Sequence, residues 1–459
     1  MISVHADCRH LPKADTPHIL CINPWIHDFA AYDFWAKPLG LLTLAAICRL
    51  HGCRVSYLDC LDRFHPRAPH ADPFLRYGRG PYLKTPIPKP PGLSDVRRRY
   101  CRYGIRPQWL LSDLRALPRP DLILVTSLMT YWYPGLQETV RLLRTVFPET
   151  PVLVGGIYAT LCSDHCRSQI DADEVVTGGG EALLLDLIGK YTGHRATLQF
   201  DPQQLDSYPY PALDLQHCVN YVPLLTSKGC PFSCAYCASR RLNPNRITRN
   251  PEAVAEEIGF WHAAHGVKDF IFYDDALLMD METHAGPIFE AVASSGINVR
   301  FHTPNALHIR WIDSKAARLM KRAGFETIRL GLETAGFGDR RKFDWKVTAT
   351  EFHSAVACLN KAGFTARQIG VYLLVGLPGQ KTTSIEASIQ IVRRSGATPI
   401  LATYSPIPHT ALWPQAVAAS RYDLKADPVF CNNAVMPCQR ETFSWQRLSH
   451  LKQLAAATA

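Results

Sequence analysis

Three cysteines stand close enough together to share one inorganic centre. In the run LLTSKGCPFSCAYCASRR, Cys230, Cys234 and Cys237 follow the spacing CxxxCxxC. Three thiolates on one short loop can ligate three irons of a cubane [4Fe-4S] cluster, provided the loop wraps around it. The fourth iron then lacks a protein ligand, and an open iron can bind a substrate or a cofactor. Gly229 and Pro231 flank the first cysteine and suit a chain that must turn sharply. A zinc site and three unrelated thiols are the competing readings. Structural zinc takes four ligands in paired spacings, and no nearby CxxC supplies the second pair.

Such a loop needs a frame. Strand-like runs recur at 221–227, 269–273, 298–303, 327–332, 369–374 and 400–405, with helical stretches between them. Asn250 as N-cap and Pro251 at the first helical position mark the first of those helices. Six strands alternating with helices predict a partial (β/α)6 TIM-type barrel over 221–413, with chemistry at the C-terminal ends of the strands. The cysteines follow directly on the first strand. After Trp413 the strand pattern stops, and the 414–459 tail ends in an amphipathic stretch near 445–454.

Residues 1–200 predict a separate α/β domain, a Rossmann-like parallel sheet covered by helices. Strands are expected at 18–23 (HILCIN), 54–59 (RVSYLD), 121–126 (DLILVT), 152–155 and 174–177, and helices at 39–50 and 135–147. Sheets of this kind bind ligands beyond the carboxyl ends of their strands, where strand order reverses. The residues at those ends are NPW at 23–25, Thr126 and Ser127 opening TSLMTYWYPG, Gly155 and Gly156 opening GGIYAT, and Gly178 to Gly180 in GGGE. The glycines serve either tight turns or the close approach of a ligand. No GxGxxG follows a strand, which disfavours a nicotinamide dinucleotide. Residues 201–220 lack periodicity and contain Pro209 and Pro211, so they read as the interdomain connection.

Composition narrows the setting. The 459 residues leave room for two or three domains. Fifteen cysteines in a chain whose first residues lack the apolar core of a secretory signal read as thiols or metal ligands rather than disulfides, in a cytoplasmic protein. Cys21, Cys48, Cys53 and Cys60 sit in apolar runs and read as core packing. No apolar run is long enough to span a membrane. Between Arg63 and Arg119, thirteen Lys and Arg face three Asp, a balance equal to the whole net charge of +10. With Pro86, Pro88, Pro90 and Pro91, this stretch reads as a basic excursion. It is either a solvated connection or a contact for an acidic substrate, a phosphate-bearing cofactor or nucleic acid.

The second half resembles the radical S-adenosylmethionine superfamily. The resemblance rests on the cysteine motif with Tyr236 before its last cysteine, FYDDALL beginning at Phe272, FHTPNALH at 301–308, RLGLET at 329–334, VYLLVGLPGQ at 371–380 and YSPIPHTALW at 404–413. It implies that S-adenosylmethionine chelates the open iron and is split reductively to a 5'-deoxyadenosyl radical. It further implies contacts to S-adenosylmethionine from Tyr236, from Asp274 and Asp275 (methionine amino group), from Glu333 (ribose or methionine) and from Gly376 and Pro378 (adenine). His409 stands where related sequences carry Gly, so a different local turn is expected there. The first third is similar to the cobalamin-binding domain that precedes the radical core in one subgroup, through PLGLLTLAAICRLHG (38–52), VGGIYAT (154–160) and VVTGGGEALL (175–184). This likeness implies cobalamin contacts from Thr126, Ser127, Gly155, Gly156, Gly178 and Gly180. No DxHxxG is present, so no histidine is evident as a lower cobalt ligand.

The resemblance implies cobalamin-dependent methylation of a small-molecule, lipid or peptide substrate, driven by an external electron donor such as flavodoxin or ferredoxin. The alternatives are a radical rearrangement, cyclisation or oxidation, and a non-catalytic iron-sulfur or nucleic-acid-binding protein. Methylthiolation of tRNA is disfavoured, because the tail has no strand series for a C-terminal RNA-binding barrel. No catalytic side chain is assigned.

Overall fold

The computed structural model describes residues 16–337, 344–439 and 445–456, so most of the N-terminal stretch read for a secretory signal lies outside them. Contacts divide the chain into two compact units, residues 1–219 and 220–459.

The first unit runs through β1 (His18–Asn23), β2 (Ile26–Asp28), β3 (Arg54–Asp59), β4 (Lys84–Pro86), β5 (Cys101–Tyr103), β6 (Leu122–Val125), β7 (Val152–Val154) and β8 (Glu174–Val175). A parallel sheet forms in the order β3-β1-β6-β7-β8. Its inner strand β1 is buried at every position, which is why HILCIN is a continuous apolar run. Alternate residues serve opposite faces. Leu20, Ile22, Ile123 and Val125 join a core with Leu110, Leu136 and Val140, while Ile19, Cys21, Leu122 and Leu124 join another with Leu41, Ala45 and Ile188. Cys21, Cys48, Cys53 and Cys60 are all buried, as their apolar surroundings predict. Burial pushes the Cys21 thiol up to about 12, which leaves it inert. The chain leaves β1 for β3 on one side and returns to β6 on the other, so strand order reverses between β1 and β6.

The basic excursion at 63–119 carries regular structure. This stretch supplies β4 and β5, which pair antiparallel with β2 in the order β2-β5-β4, and the helix Pro107–Ala116. Pro86 is tolerated because β4 is an exposed edge strand. Arg102 on β5 bonds Glu138 of the helix Tyr133–Val146 at 2.8 Å, and Arg63 pairs with buried Asp33 at 3.1 Å. Residues 201–219 have no strand, but they pack on the first unit. The Ala212 N–H donates to Leu42 O at 3.0 Å, and Asp214 pairs with Arg49 at 2.7 Å.

The second unit carries β9 (Val222–Leu224), a two-stranded ribbon of β10 (Ser227–Lys228) and β11 (Ile247–Thr248), then β12 (Asp269–Phe272), β13 (Arg300–His302), β14 (Phe325–Glu333), β15 (Ile369–Val375) and β16 (Thr398–Thr403). Six of these form a parallel sheet in the sequential order β9-β12-β13-β14-β15-β16, the expected partial barrel. Asn250 caps the helix Pro251–His265 by accepting from the Glu252 and Ala253 N–H groups, as its sequence position predicts. Phe272, Phe289, Phe301 and Phe325 fill the space between β12–β14 and the helix Gly286–Ser295, with ring centroids 4.8 to 5.9 Å apart. The C-terminal helix Trp445–Ala456 packs on β16, the edge strand of the sheet. At His409 the backbone makes a left-handed turn. Its φ of +67° is the left-handed conformation that Gly favours, adopted here at some cost in strain.

Candidate active site

The cysteine loop leaves β9 at the C-terminal end of the sheet, and the β10–β11 ribbon closes its base. Gly229 opens the loop with φ +88°, and a Cβ there would lie 2.4 Å from Asn245 O, so glycine is required. The Cys237 N–H donates to Cys234 O at 3.1 Å, and the Ser239 N–H points at Cys237 Sγ at 3.4 Å. Cys234 is buried, Cys230 half-buried and Cys237 exposed. Burial pushes the Cys234 thiol up to about 11 and raises that of Cys230, Cys237 adds to both shifts, and Lys346 opposes both. The three sulfurs are therefore electrostatic neighbours, with one cation beside them. Among the described residues no three Cys, His, Asp or Glu side chains converge as the ligands of a single ion would. A multi-iron core takes three thiols from a wrapped loop.

The adjacent carboxylates at the end of β12 separate. Asp274 is fully buried and occupied: Thr226 Oγ1 donates to it at 2.7 Å, Ser227 Oγ at 2.6 Å and the Thr226 N–H at 3.2 Å. It ties the end of β9 to that of β12 and is not free to receive an ammonium. Asp275 is half-buried and accepts from Ser239 Oγ at 3.1 Å, which links it to the cysteine loop. Burial raises its carboxyl, and the Ser239 bond opposes that rise.

Glu333 ends β14 at a register shift, with φ +62°, an uncommon conformation for a residue with a side chain. Its Oε1 lies 3.3 Å from the ammonium of Lys346, which sits 5.3 Å from the centre of the Tyr236 ring. The Tyr236 hydroxyl donates to Asp344 at 3.1 Å. Burial alone would lower the pKa of Lys346, but Glu333, Cys234 and Asp344 raise it overall, so the group is a fixed cation. Beside it His308 is 6% exposed, and neither of its ring nitrogens has a hydrogen-bond partner. Its ring stacks on Phe232, between the first two cysteines, at 4.9 Å. An orphaned buried imidazole is costly and is the signature of a place for a ligand. After β15, Gln380 accepts from the Gly376 and Leu377 N–H groups at 2.8 and 3.3 Å, which fixes the loop carrying Gly376 and Pro378.

Sequence reading missed Ser239, Lys346, Asp344 and His308. His308 lay inside a noted motif without any signal of its burial. Lys346 and Asp344 fall in an unpatterned stretch, and only the fold brings them to the cysteines.

In the first unit, two clefts open at the strand ends. One has about 520 Å³ of empty space, partly open to solvent, and is lined by Leu41, Leu44, Thr126, Gly155, Gly156, Gly178 and Gly180 among others. A Cβ on Gly155 or Gly178 would meet almost nothing, and one on Gly180 only Leu44 at 3.6 Å, so their missing side chains enlarge the cleft. Gly156 differs: its Cβ would lie 2.3 Å from Ser127 O, so backbone packing already demands glycine. Ser127 is also occupied, because its hydroxyl donates to Gly155 O at 2.6 Å. The second cleft, about 310 Å³, lies where strand order reverses and is lined by Asn23, Trp25, Ser127, Met129 and Trp132. The NPW and TSLMTYWYPG segments thus meet as their strand-end positions predict.

Comparison with known proteins agrees with both halves. Residues 224–392 match the Radical SAM superfamily model, and 96–188 match the B12 binding domain. An uncharacterised methyltransferase of Pyrococcus horikoshii is 24% identical over 346 residues, which are 69% of this chain and 74% of that protein. The anaerobic magnesium-protoporphyrin IX monomethyl ester cyclase of Cereibacter sphaeroides is 25% identical over 321 residues, 61% of this chain and only 50% of the cyclase. Among solved structures, the radical S-adenosylmethionine methyltransferase TsrM of Kitasatospora setae, with cobalamin and a [4Fe-4S] cluster bound, superposes with a TM-score of 0.64 at 16% identity, covering 89% of this chain and 76% of that one. The cobalamin-dependent enzyme OxsB gives 0.59 at 12% identity, over 88% of this chain and 55% of that one.

The sheet order, the three-thiol loop and these matches define a radical S-adenosylmethionine enzyme. More particularly, the chain joins a B12-binding domain to the radical SAM domain that follows it. Its cofactors are a [4Fe-4S] cluster, S-adenosylmethionine and cobalamin. The residues present fit all three: neighbouring thiols on a wrapped loop, an orphaned imidazole beside a fixed cation, and a glycine-widened cleft.

Proposed function

We propose that this enzyme transfers a methyl group to a small-molecule, lipid or peptide substrate in a cobalamin-dependent radical reaction. When bound, the cluster and S-adenosylmethionine supply a strong carbon-centred oxidant, and the corrinoid supplies a methyl carrier. The observation that carries the reading is that one chain holds both the thiol loop, with its buried unpartnered His308, and the glycine-widened cleft in a parallel sheet.

The chain's own residues divide the work. Cys230, Cys234 and Cys237 hold the cluster. Asp275 receives the methionyl ammonium through a charge-assisted bond, while Asp274 acts indirectly by holding the strand ends in register. Lys346 faces the carboxylate, and Glu333 both orients Lys346 and accepts from hydroxyls. Tyr236 and the Gly376–Pro378 loop shape the adenosine side, and His308 offers a hydrogen bond beside the cysteine loop. Thr126, Gly155, Gly178 and Gly180 border the corrinoid, and Gly156 and Ser127 hold that border in place. An external one-electron donor such as flavodoxin or ferredoxin reduces the cluster. The free state of every described cysteine supports a reducing, cytoplasmic setting.

The test is anaerobic turnover of protein reconstituted with iron, sulfide and hydroxocobalamin. Methyl label from S-adenosylmethionine should reach the corrinoid and then the product, alongside 5'-deoxyadenosine. Formation of 5'-deoxyadenosine without corrinoid retention would overturn methylation. It would favour ring closure or oxidation, the reading to which the matched cyclases point.

A further inference from the structure

Two loops of the first unit form a rigid, outward-facing tip that neither cofactor accounts for. Residues 32–35 and 74–80 are stitched together: Asp33 and Gly80 form a β-bridge, Trp35 Nε1 donates to Tyr77 O at 2.8 Å, and Arg76 donates to the Tyr32 hydroxyl at 3.1 Å. Beneath them, buried Arg63 donates to Gly78 O at 2.7 Å and to Asp33 at 3.1 Å. Three of the seven described non-glycine residues with positive φ lie here, namely Trp35 (68°), Arg76 (54°) and Tyr77 (60°). Each costs strain that survives only where the surroundings hold it. The conformation so held presents Phe34, Phe74 and Leu75 to solvent at 60%, 65% and 59% exposure.

Exposed apolar side chains occurring singly need no explanation, but three on one braced tip do. The tip also belongs to the basic stretch, where thirteen Lys and Arg face three Asp. Arg76 stands exposed next to Leu75, and Asp72, also exposed, accepts from the Phe74 N–H at 2.8 Å. Large apolar side chains beside an exposed arginine suit the interface of a bilayer: the rings and the leucine enter the acyl boundary, and the Arg76 guanidinium stays among anionic headgroups.

We infer that this tip is a membrane-docking site that holds the enzyme on a bilayer containing anionic lipid. It does not depend on which reaction the active site performs.

The experiment is flotation of the reconstituted full-length protein with vesicles of phosphatidylcholine alone or mixed with phosphatidylglycerol. Binding is expected to the mixed vesicles only, and high salt should weaken it. Phe74→Ser with Leu75→Ser should lower binding about a hundredfold, the loss of two large apolar anchors. Both positions are exposed, so unfolding is not expected. Should the double variant still fail to fold, Phe34→Ser on the other loop gives an independent reading and should weaken binding about tenfold. Absence of wild-type binding to mixed vesicles would overturn the inference, as would unchanged binding in a folded variant. Reversible self-association that these substitutions abolish, without any vesicle binding, would reassign the tip to contacts between copies of the chain.

Discussion

Asp274 and Asp275 are adjacent and chemically identical, yet they should fail in different ways. Asp274 is the acceptor for three donors that hold two strand ends together. Asp274→Ala should therefore destabilise the second unit by about 2 to 4 kcal/mol, because buried hydroxyls and an amide lose a charged partner. Denaturant unfolding reads that loss. Asp275→Asn should leave stability within about 0.5 kcal/mol while weakening S-adenosylmethionine binding to the cluster-loaded protein about ten- to a hundredfold. Lys346→Met should also weaken binding, but with an added cost in stability, since it leaves Glu333 beside an apolar chain. If Asp275→Asn binds the cofactor normally, its carboxylate serves only to hold Ser239. Replacing any of Cys230, Cys234 or Cys237 with Ala should abolish the cluster's visible absorbance, whereas Cys48→Ala should cost only packing.

At the scale of elements, the small antiparallel sheet is held to the first unit through Glu138. That carboxylate sits on the helix Tyr133–Val146, 2.8 Å from Arg102 Nε on β5 and 2.7 Å from His27 Nε2 on β2. Burial would raise its pKa, but the neighbouring His27 and Arg102 prevail and lower it to about 2. A carboxyl whose folded pKa is depressed stabilises the fold above its unfolded pKa and loses that contribution as pH falls through the folded value. Between about pH 4.5 and pH 2 the first unit should thus lose roughly 2 to 3 kcal/mol from this group. Glu138→Gln should show a shallower acid unfolding limb over that interval, with lower stability at neutral pH. An unchanged acid limb would mean that other carboxylates set the acid sensitivity. In the other unit, the C-terminal helix packs on the edge strand β16, with Leu451 fully buried. Leu451→Ala should cost about 2 to 5 kcal/mol in denaturant unfolding.

For the molecule as a whole, each cofactor should leave its imprint on a different unit. Corrinoid at a hundredfold excess over its Kd adds about 2.7 kcal/mol to the unit that binds it. Amide exchange should slow across 41–44, 124–127, 153–156 and 176–187, the lining of the larger cleft. With the cluster in place, S-adenosylmethionine should slow exchange across 227–239, 305–311 and 344–346. Gly155→Val, whose side chain would enter the cleft, should lower corrinoid retention without unfolding the protein. Gly156→Val would clash with Ser127 and is expected to unfold the loop, so it says nothing about the ligand. Retention of corrinoid by Gly155→Val, with protection unchanged, would move the corrinoid site away from this cleft.

Features written in short-range patterns were legible along the chain without the fold. The period of apolar residues gave both parallel sheets, the Asn250–Pro251 pair gave a helix start, and three cysteines within eight residues gave the cluster loop. These need only neighbours along the chain to act. Which members of the motifs are available for chemistry depends on the folded chain, because hydrogen-bond partners come from distant segments. Asp274 is used up by residues forty-seven and forty-eight positions away, Lys346 reaches a cysteine loop more than a hundred residues earlier, and Gly156 is required by Ser127 rather than by a ligand. The prolines between Arg63 and Arg119 argued against regular structure, since proline disfavours helix and central strand alike. An edge strand with no neighbour on its outer side has no such objection, and whether a strand is an edge is a property of the sheet rather than of the strand.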